Sequence, residues 1–427
     1  MTEPNQQGLD PVLMRGLTQA RLQHGLGRRD MLRLFGAAGG AAILSSCGAI
    51  KAQGGKANTS QSAIDKYWSA QKPTGQLTWA NWPLYLDTVG KSKHPTLDAF
   101  EKQTGIKVKY IEAIQDNGPF FAKVQPTLSS GQYAGFDLAV ISSGIYFNKL
   151  RDLGFLVPLD QSMLKNFKQH AGDKFKDPSF DAGNVFSIPW QAGFTGIGYN
   201  PAKTGREITS WKDLTDPKFK GHIGMMANNE DLPNIALLAI GVDPHKSTES
   251  DWTKAADWLK SMKPLVRNFY SQNYISGLAS GDVWISMAWS GDIFQQNLSG
   301  KKTGSELKFV IPDEGGLLWI DNFLILKGAK NPVSAMKLMD YYYQPSVAGP
   351  VTEYVNYISP VPDAQAVVKA DATKAKGSDK TYLDAVATSY ATFPDSSTYA
   401  KTVNYFTPKA GSQLDKWNSI FEPVYQS

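Results

Sequence analysis

The segment Glu314-Gly315-Gly316-Leu317-Leu318-Trp319-Ile320-Asp321-Asn322-Phe323-Leu324-Ile325-Leu326 sets the Asp321 carboxylate and the Trp319 indole inside an otherwise apolar strand. Strand side chains alternate between faces, so Trp319 and Asp321 share one face while Ile320 and Asn322 share the other. A desolvated carboxylate is costly unless something positive meets it. The segment offers no Lys or Arg before Lys327. Two readings follow: the missing partner is the cation of a ligand, or Asp321 is a strand-end residue whose carboxylate takes a loop amide.

Outward from that strand the chain alternates elements. Gln76 to Ala80 reads as a strand, and Pro83 stops its ladder so that Trp82 and Tyr85 leave the strand end together. A helix from Thr96 to Thr104 is expected, with Thr96 as N-cap and Gly105 as terminator. Then come a strand from Ile106 to Ile111, a helix from Phe120 to Leu128 broken near Pro126, a buried strand Phe136 to Ile141 and a helix Tyr146 to Leu153. Strand and helix in this order argue an α/β chain with a mainly parallel sheet, whose ligands collect at the carboxyl ends of the strands. Val185 to Trp190 and Phe194 to Tyr199 read as two extended runs joined by Gln191-Ala192-Gly193, a crossing between two lobes. The pattern then restarts: a short helix from Trp211 capped by Ser210, a strand His222 to Met226, a helix Glu230 to Ile240, a strand Trp284 to Trp289 and a helix from Ser290. The strand around Asp321 would return the chain to the first lobe, before a helix Pro332 to Tyr343 and an extended segment Tyr354 to Val361 holding Tyr357.

A chain of 427 residues exceeds what one core usually organises, and 42% hydrophobic with 19% charged residues is a globular profile. The net charge of +5 is mild and its Lys and Arg are scattered, so no nucleic-acid partner is expected. Gly27-Arg28-Arg29-Asp30-Met31-Leu32-Arg33, the Ala/Gly-rich run to Leu44 and Ser45-Ser46-Cys47 look like a twin-arginine export signal ending in a lipobox, with Gly27 and Met31 standing where Ser or Thr and Phe are usual. Residues 1–46 are therefore read as an export signal. Cys47 is the only cysteine, which removes disulfides and cysteine chemistry from the mature domain and leaves this residue as the lipid anchor. Residues 47–75 read as a flexible tether. The body is then divided into a first lobe of residues 76–193 plus 321–365 and a second of 194–320 plus 366–427.

Catalytic constellations are missing: His24, His94, His170, His222 and His245 form no triad or zinc pattern, and there is no phosphate-binding loop. No enzyme, cofactor or metal is expected. The sequence does supply aromatics at strand ends, namely Trp82, Tyr85, Tyr146, Trp289, Trp319 and Tyr357, with Asp321 and Asp231 in similar positions. Each ring alone is an ordinary core residue. Several rings with a carboxylate can instead hold an alkyl ammonium, each contact being worth about 0.5 to 2 kcal/mol.

These residues sit in segments that resemble the spermidine/putrescine-binding proteins of bacterial ABC importers. The similarity runs through Asn81-Trp82-Pro83-Leu84-Tyr85, Thr104-Gly105-Ile106-Lys107-Val108, Ser187-Ile188-Pro189-Trp190, Thr209-Ser210-Trp211-Lys212-Asp213-Leu214, Met287-Ala288-Trp289-Ser290-Gly291 and Trp319-Ile320-Asp321. It implies a two-lobed type II periplasmic-binding-protein architecture with a hinge and a ligand cleft between the lobes. It also implies Trp82 and Tyr85 on one wall, Trp289 stacked on the methylene chain, Trp319, Asp321 and Tyr357 as further contacts with Asp321 receiving an ammonium, and Ser142 as a polar contact with Tyr146 as a further ligand-binding residue. Where the family often has two acidic residues three apart for the other amine, this chain has Asn228 and Asp231, and no residue matches the family's C-terminal glutamine.

The leading expectation is a lipid-anchored, exported, monomeric receptor delivering a polyamine-type cation to a membrane permease. The alternatives are another solute in the same fold, amino-acid-like or anionic and held by helix N-termini such as those after Ser143 and Ser290, or a tethered surface enzyme or adhesion module.

Overall fold

The computed structural model describes residues 59–90, 92–270, 274–298 and 306–425, so the export signal and Cys47 lie outside the described residues. Ten strands form one sheet: β1 Gln76–Asn81, β2 Lys107–Glu112, β3 Leu138–Ser142, β4 Ser187–Tyr199, β5 Ile223–Met226, β6 Val266–Tyr270, β7 Ile285–Trp289, β8 Lys308–Val310, β9 Gly316–Ile325 and β10 Thr402–Asn404. Their main order is β2-β1-β3-β9-β4-β7-β5-β6, with β10 added to β9 and β8 to β4. Pairing is parallel within each end, β1 with β2 and β3, β5 with β6 and β7. At the centre it is antiparallel: β9 pairs with β3 and β4, and β4 with β7 and β8. The sheet is thus mixed, because two long strands run across it in opposite directions between the parallel ends.

Those two strands are β4 and β9, and every residue of both is buried. β4 is one continuous strand, where the sequence suggested two runs; a bulge between Pro189 and Gln191 takes up the irregularity without ending the ladder. Its first half pairs along β9, and from Thr195 onward it pairs with β7. β9 starts beside β10 and ends beside β3, so Asp321 lies opposite Ser142 and Gln191, where the two ends of the sheet meet.

Separate cores support the two ends. Trp79, Phe100, Trp190 and Phe323 belong to one cluster, and Trp211, Trp252, Ile285 and Trp417 to another. Helix Pro95–Thr104 starts at His94, and Thr96 lies inside its first turn. Asp87 accepts the Thr96 amide at 2.9 Å and its hydroxyl, so a remote carboxylate does the capping expected of Thr96. Gly105 does terminate this helix, at φ 71°, the left-handed region that glycine reaches without strain. Helix Asn117–Ser129 continues through Pro126, held by buried Phe120, Phe121, Val124 and Leu128. Tyr354 and Val355 end the helix Pro345–Val355 rather than opening an extended segment, and Tyr357 follows the left-handed turn at Asn356.

The second half of the expected tether is ordered. Gln61–Ser69 is a helix whose Trp68 is buried and donates its indole N–H to Pro158 O at 2.9 Å. Ile64, Tyr67 and Trp68 recur at helical spacing, and that stripe packs on the first core.

Candidate functional site

Most candidate side chains stand where parallel strands end: Trp82 and Tyr85 after β1, Ser142 and Tyr146 at the end of β3, Asn228 and Asp231 after β5, and Trp289 as the last residue of β7. Trp319 and Asp321 enter from β9, and Tyr357 from the turn after Asn356. The central crossing brings both sets together.

Asp321 has its oxygens taken by two hydroxyls. Tyr85 OH donates to one at 2.7 Å and Ser142 Oγ to the other at 2.5 Å. Neither a loop amide nor a Lys or Arg reaches it among the described residues. Burial raises its carboxyl from 3.8 to about 6, against the two hydroxyl bonds that lower it. Tyr85 is pushed well above 10 by burial and by that carboxylate.

Rings continue from this point in a string. Tyr85 and Tyr357 are 6.0 Å apart between centroids, Tyr357 and Trp319 5.2 Å, and Trp319 and Trp289 6.4 Å, all edge to face. Close approach requires missing Cβ atoms: a Cβ on Gly193 would stand 2.3 Å from the Trp319 ring, and one on Gly291 2.5 Å from Tyr357. At the far end lies Asp231, 3% exposed, accepting from Thr195 Oγ1 at 2.5 Å, Tyr405 OH at 2.9 Å and Asn228 Nδ2 at 2.9 Å. Burial raises its carboxyl, opposed by these hydroxyl and amide bonds and by the Trp289 side chain. A carboxylate therefore stands at each end of a run of four rings.

Not every expected residue joins this run. Asn228 spends its side chain locally, its Oδ1 accepting from the Glu230 amide at 3.1 Å and the Asp231 amide at 2.6 Å. Trp82 is half-buried, with its indole N–H on Val140 O at 3.1 Å. Tyr146 turns to Phe121, 5.8 Å away, and carries Lys149 over its ring at 5.1 Å. Three residues went unnoticed in the sequence. Asp292 accepts from Tyr274 OH at 2.7 Å and Tyr357 OH at 2.6 Å; Tyr405 reaches Asp231 from the C-terminal segment; Glu230 meets the turn after β3. Asp292 had a signal, lying one residue past Trp289-Ser290-Gly291, where an acid in a first helical turn reads simply as dipole compensation. Tyr405 had none, since its approach depends on β10 joining β9.

A two-lobed α/β sheet with its polar and aromatic residues gathered at the crossing is the architecture of solute-binding proteins. The family model described as bacterial extracellular solute-binding protein matches residues 96–377. The chain belongs to that family. It is 33% identical over 285 residues to the spermidine/putrescine-binding periplasmic protein of Escherichia coli, covering 66% of this chain and 77% of that one. It is 31% identical over 314 residues to the putrescine-binding periplasmic protein PotF of the same organism, covering 70% and 81%. Among solved structures, the spermidine/putrescine ABC transporter substrate-binding protein PotD of Streptococcus pneumoniae superimposes with TM-score 0.67 at 25% identity, covering 82% of this chain and 98% of that one. These relatives are solute-binding proteins, and the fold is type II. No described helix is long and apolar enough to cross a membrane.

Proposed function

We propose that this protein is an exported receptor that captures a polyamine, a putrescine- or spermidine-like cation, and hands it to an ABC permease. The observation that carries the reading is the string from Asp321 through Tyr85, Tyr357, Trp319 and Trp289 to Asp231. An alkyl diamine has the same order of parts: ammonium, methylenes, ammonium. Carboxylates match its ends by charge-assisted hydrogen bonds, and ring faces and edges match its apolar middle. Asp321 would take one ammonium, with Tyr85 and Ser142 fixing the carboxylate. Asp231 would take the other, with Asn228 orienting Asp231 and its own amide committed to the turn. Trp82 and Tyr146 would border the cleft without contacting the amine.

The names of the relatives support the ligand class and a binding role. Export through a twin-arginine signal, anchoring at Cys47, a monomeric state and the division into lobes at 193/194, 320/321 and 365/366 belong to the same proposal and rest on the sequence. Calorimetric titration with putrescine, spermidine, γ-aminobutyrate, amino acids and sugars tests the ligand. Heat is expected with the diamine and triamine and not with γ-aminobutyrate, whose carboxylate would face Asp231 or Asp321. Absence of heat with every amine would remove the polyamine reading.

A further inference from the structure

Residues Ser143-Gly144-Ile145 turn from β3 into the helix Ile145–Asp152, on the first-lobe side of the crossing. Glu230 precedes the helix Asp231–Ala239 that follows β5, on the other side. The two meet: the Ile145 amide donates to the Glu230 carboxylate at 2.5 Å. Three further observations make the contact a fitted one. Gly144 holds φ 143°, and a Cβ there would stand 2.1 Å from Glu230 Oε1, so only glycine admits the carboxylate. The Ile145 side chain, 3% exposed, is packed in the hydrophobic cluster of the opposite side with Leu232, Ile235 and Ile293, away from the cluster of its own neighbour Phe147. The Glu230 backbone is itself pinned, its N–H on Asn228 Oδ1 at 3.1 Å and its carbonyl accepting from Asn234 at 2.8 Å.

We propose that Glu230 and the Gly144-Ile145 turn form a latch between the lobes, a peg and a hydrogen bond that hold the cleft shut and set how fast ligand leaves. The carboxylate approaches the start of an eight-residue helix, where free amides and the helix dipole favour it. No Lys or Arg among the described residues pairs with it, and its charged surroundings are the acids Asp231, Asp116 and Asp321, with Tyr146 and Tyr405 also facing it. Glu230 is not among the side chains proposed to hold the amine. It is a positioning residue acting through closure, in addition to the ligand-binding side chains.

The inference rests on the reading of a cleft that closes on a solute, and its test is separable from the identity of that solute. Spin labels on Lys109→Cys in β2 and Arg267→Cys in β6, two exposed positions on the outermost strands, report lobe separation in the full chain carrying Cys47→Ser. Distances are measured without ligand and with putrescine. Glu230→Ala and Gly144→Ala are each expected to shift the distribution to longer distances, whereas Glu230→Gln, which keeps an acceptor for the Ile145 amide, stays with the parent. Stopped-flow release of putrescine should speed up about tenfold in Glu230→Ala, the size of one lost hydrogen bond. Distributions of Glu230→Ala and Gly144→Ala that coincide with the parent in both states would overturn the latch. Failure of putrescine to bind the parent would count against the polyamine reading alone, since the ligand-free distances still decide the latch.

Discussion

Asp321 is held by two hydroxyls that can rotate, which makes one substitution informative. Tyr85 OH and Ser142 Oγ donate to a carboxylate and can turn to accept from an amide, so Asp321→Asn keeps its partners. With its folded carboxyl raised to about 6 from 3.8, the ligand-free protein is favoured by the protonated form. That contribution is present below about pH 4 and is lost as pH rises through about 6, so at neutral pH the Asn variant should be more stable by on the order of 2 kcal/mol. Binding runs the other way: an ammonium needs the ionised form, so Asp321→Asn should weaken putrescine by about a hundredfold. For the parent, affinity should fall about tenfold per pH unit below about 6. Thermal melts and titrations across that range check both signs, and unchanged affinity in the variant would make Asp321 purely structural. The charge in this strand was legible from sequence because Leu317 to Ile320 and Phe323 to Leu326 on either side are apolar. Glu230 was not, because it reads as the first residue of the helix Glu230 to Ile240, where an acid is ordinary dipole compensation.

At the level of elements, β4 shows why a run with internal glycines reads as two. Gln191-Ala192-Gly193 looks like a break, yet its bulge leaves the strand continuous, and Gly193 is required by the Trp319 ring lying on it. Gly193→Ala should push that indole out of the ring string. Putrescine affinity is expected to drop at least about tenfold and the melting free energy by about 1 to 3 kcal/mol. Calorimetry and tryptophan fluorescence would show whether both move together; retained affinity would mean that Trp319 does not line the site. Helix Asn117–Ser129 makes the complementary point. Pro126 removes one ladder bond, a loss of about 3 kcal/mol in an isolated helix, but four buried side chains of the same helix outweigh it. Local signals placed the strand ends and the Gly105 terminator, where backbone chemistry decides; they misplaced Thr96, Pro126 and Gln61–Ser69, where contacts distant in sequence decide.

For the whole molecule, the two long crossing strands leave each end of the sheet with its own core, which suits rigid lobes moving about a narrow waist. Anchoring predicts that Cys47→Ser moves the exported protein from the membrane to the soluble fraction, and membrane retention would refute the lipid. The sequence by itself determined the alternation of strands and helices, the return of the chain through Trp319-Ile320-Asp321 and the aromatic residues at strand ends, because periodicity, punctuation and composition are local. Only the tertiary structure decided that Asp231 and Asp321 stand at opposite ends of one ring string, that Asn228 serves its neighbour, that Tyr146 faces Lys149, and that Glu230 meets Gly144. The ring string and the Glu230–Gly144 contact depend on β4 and β9 carrying remote segments side by side, and pairing between residues more than a hundred positions apart leaves no local trace in either partner.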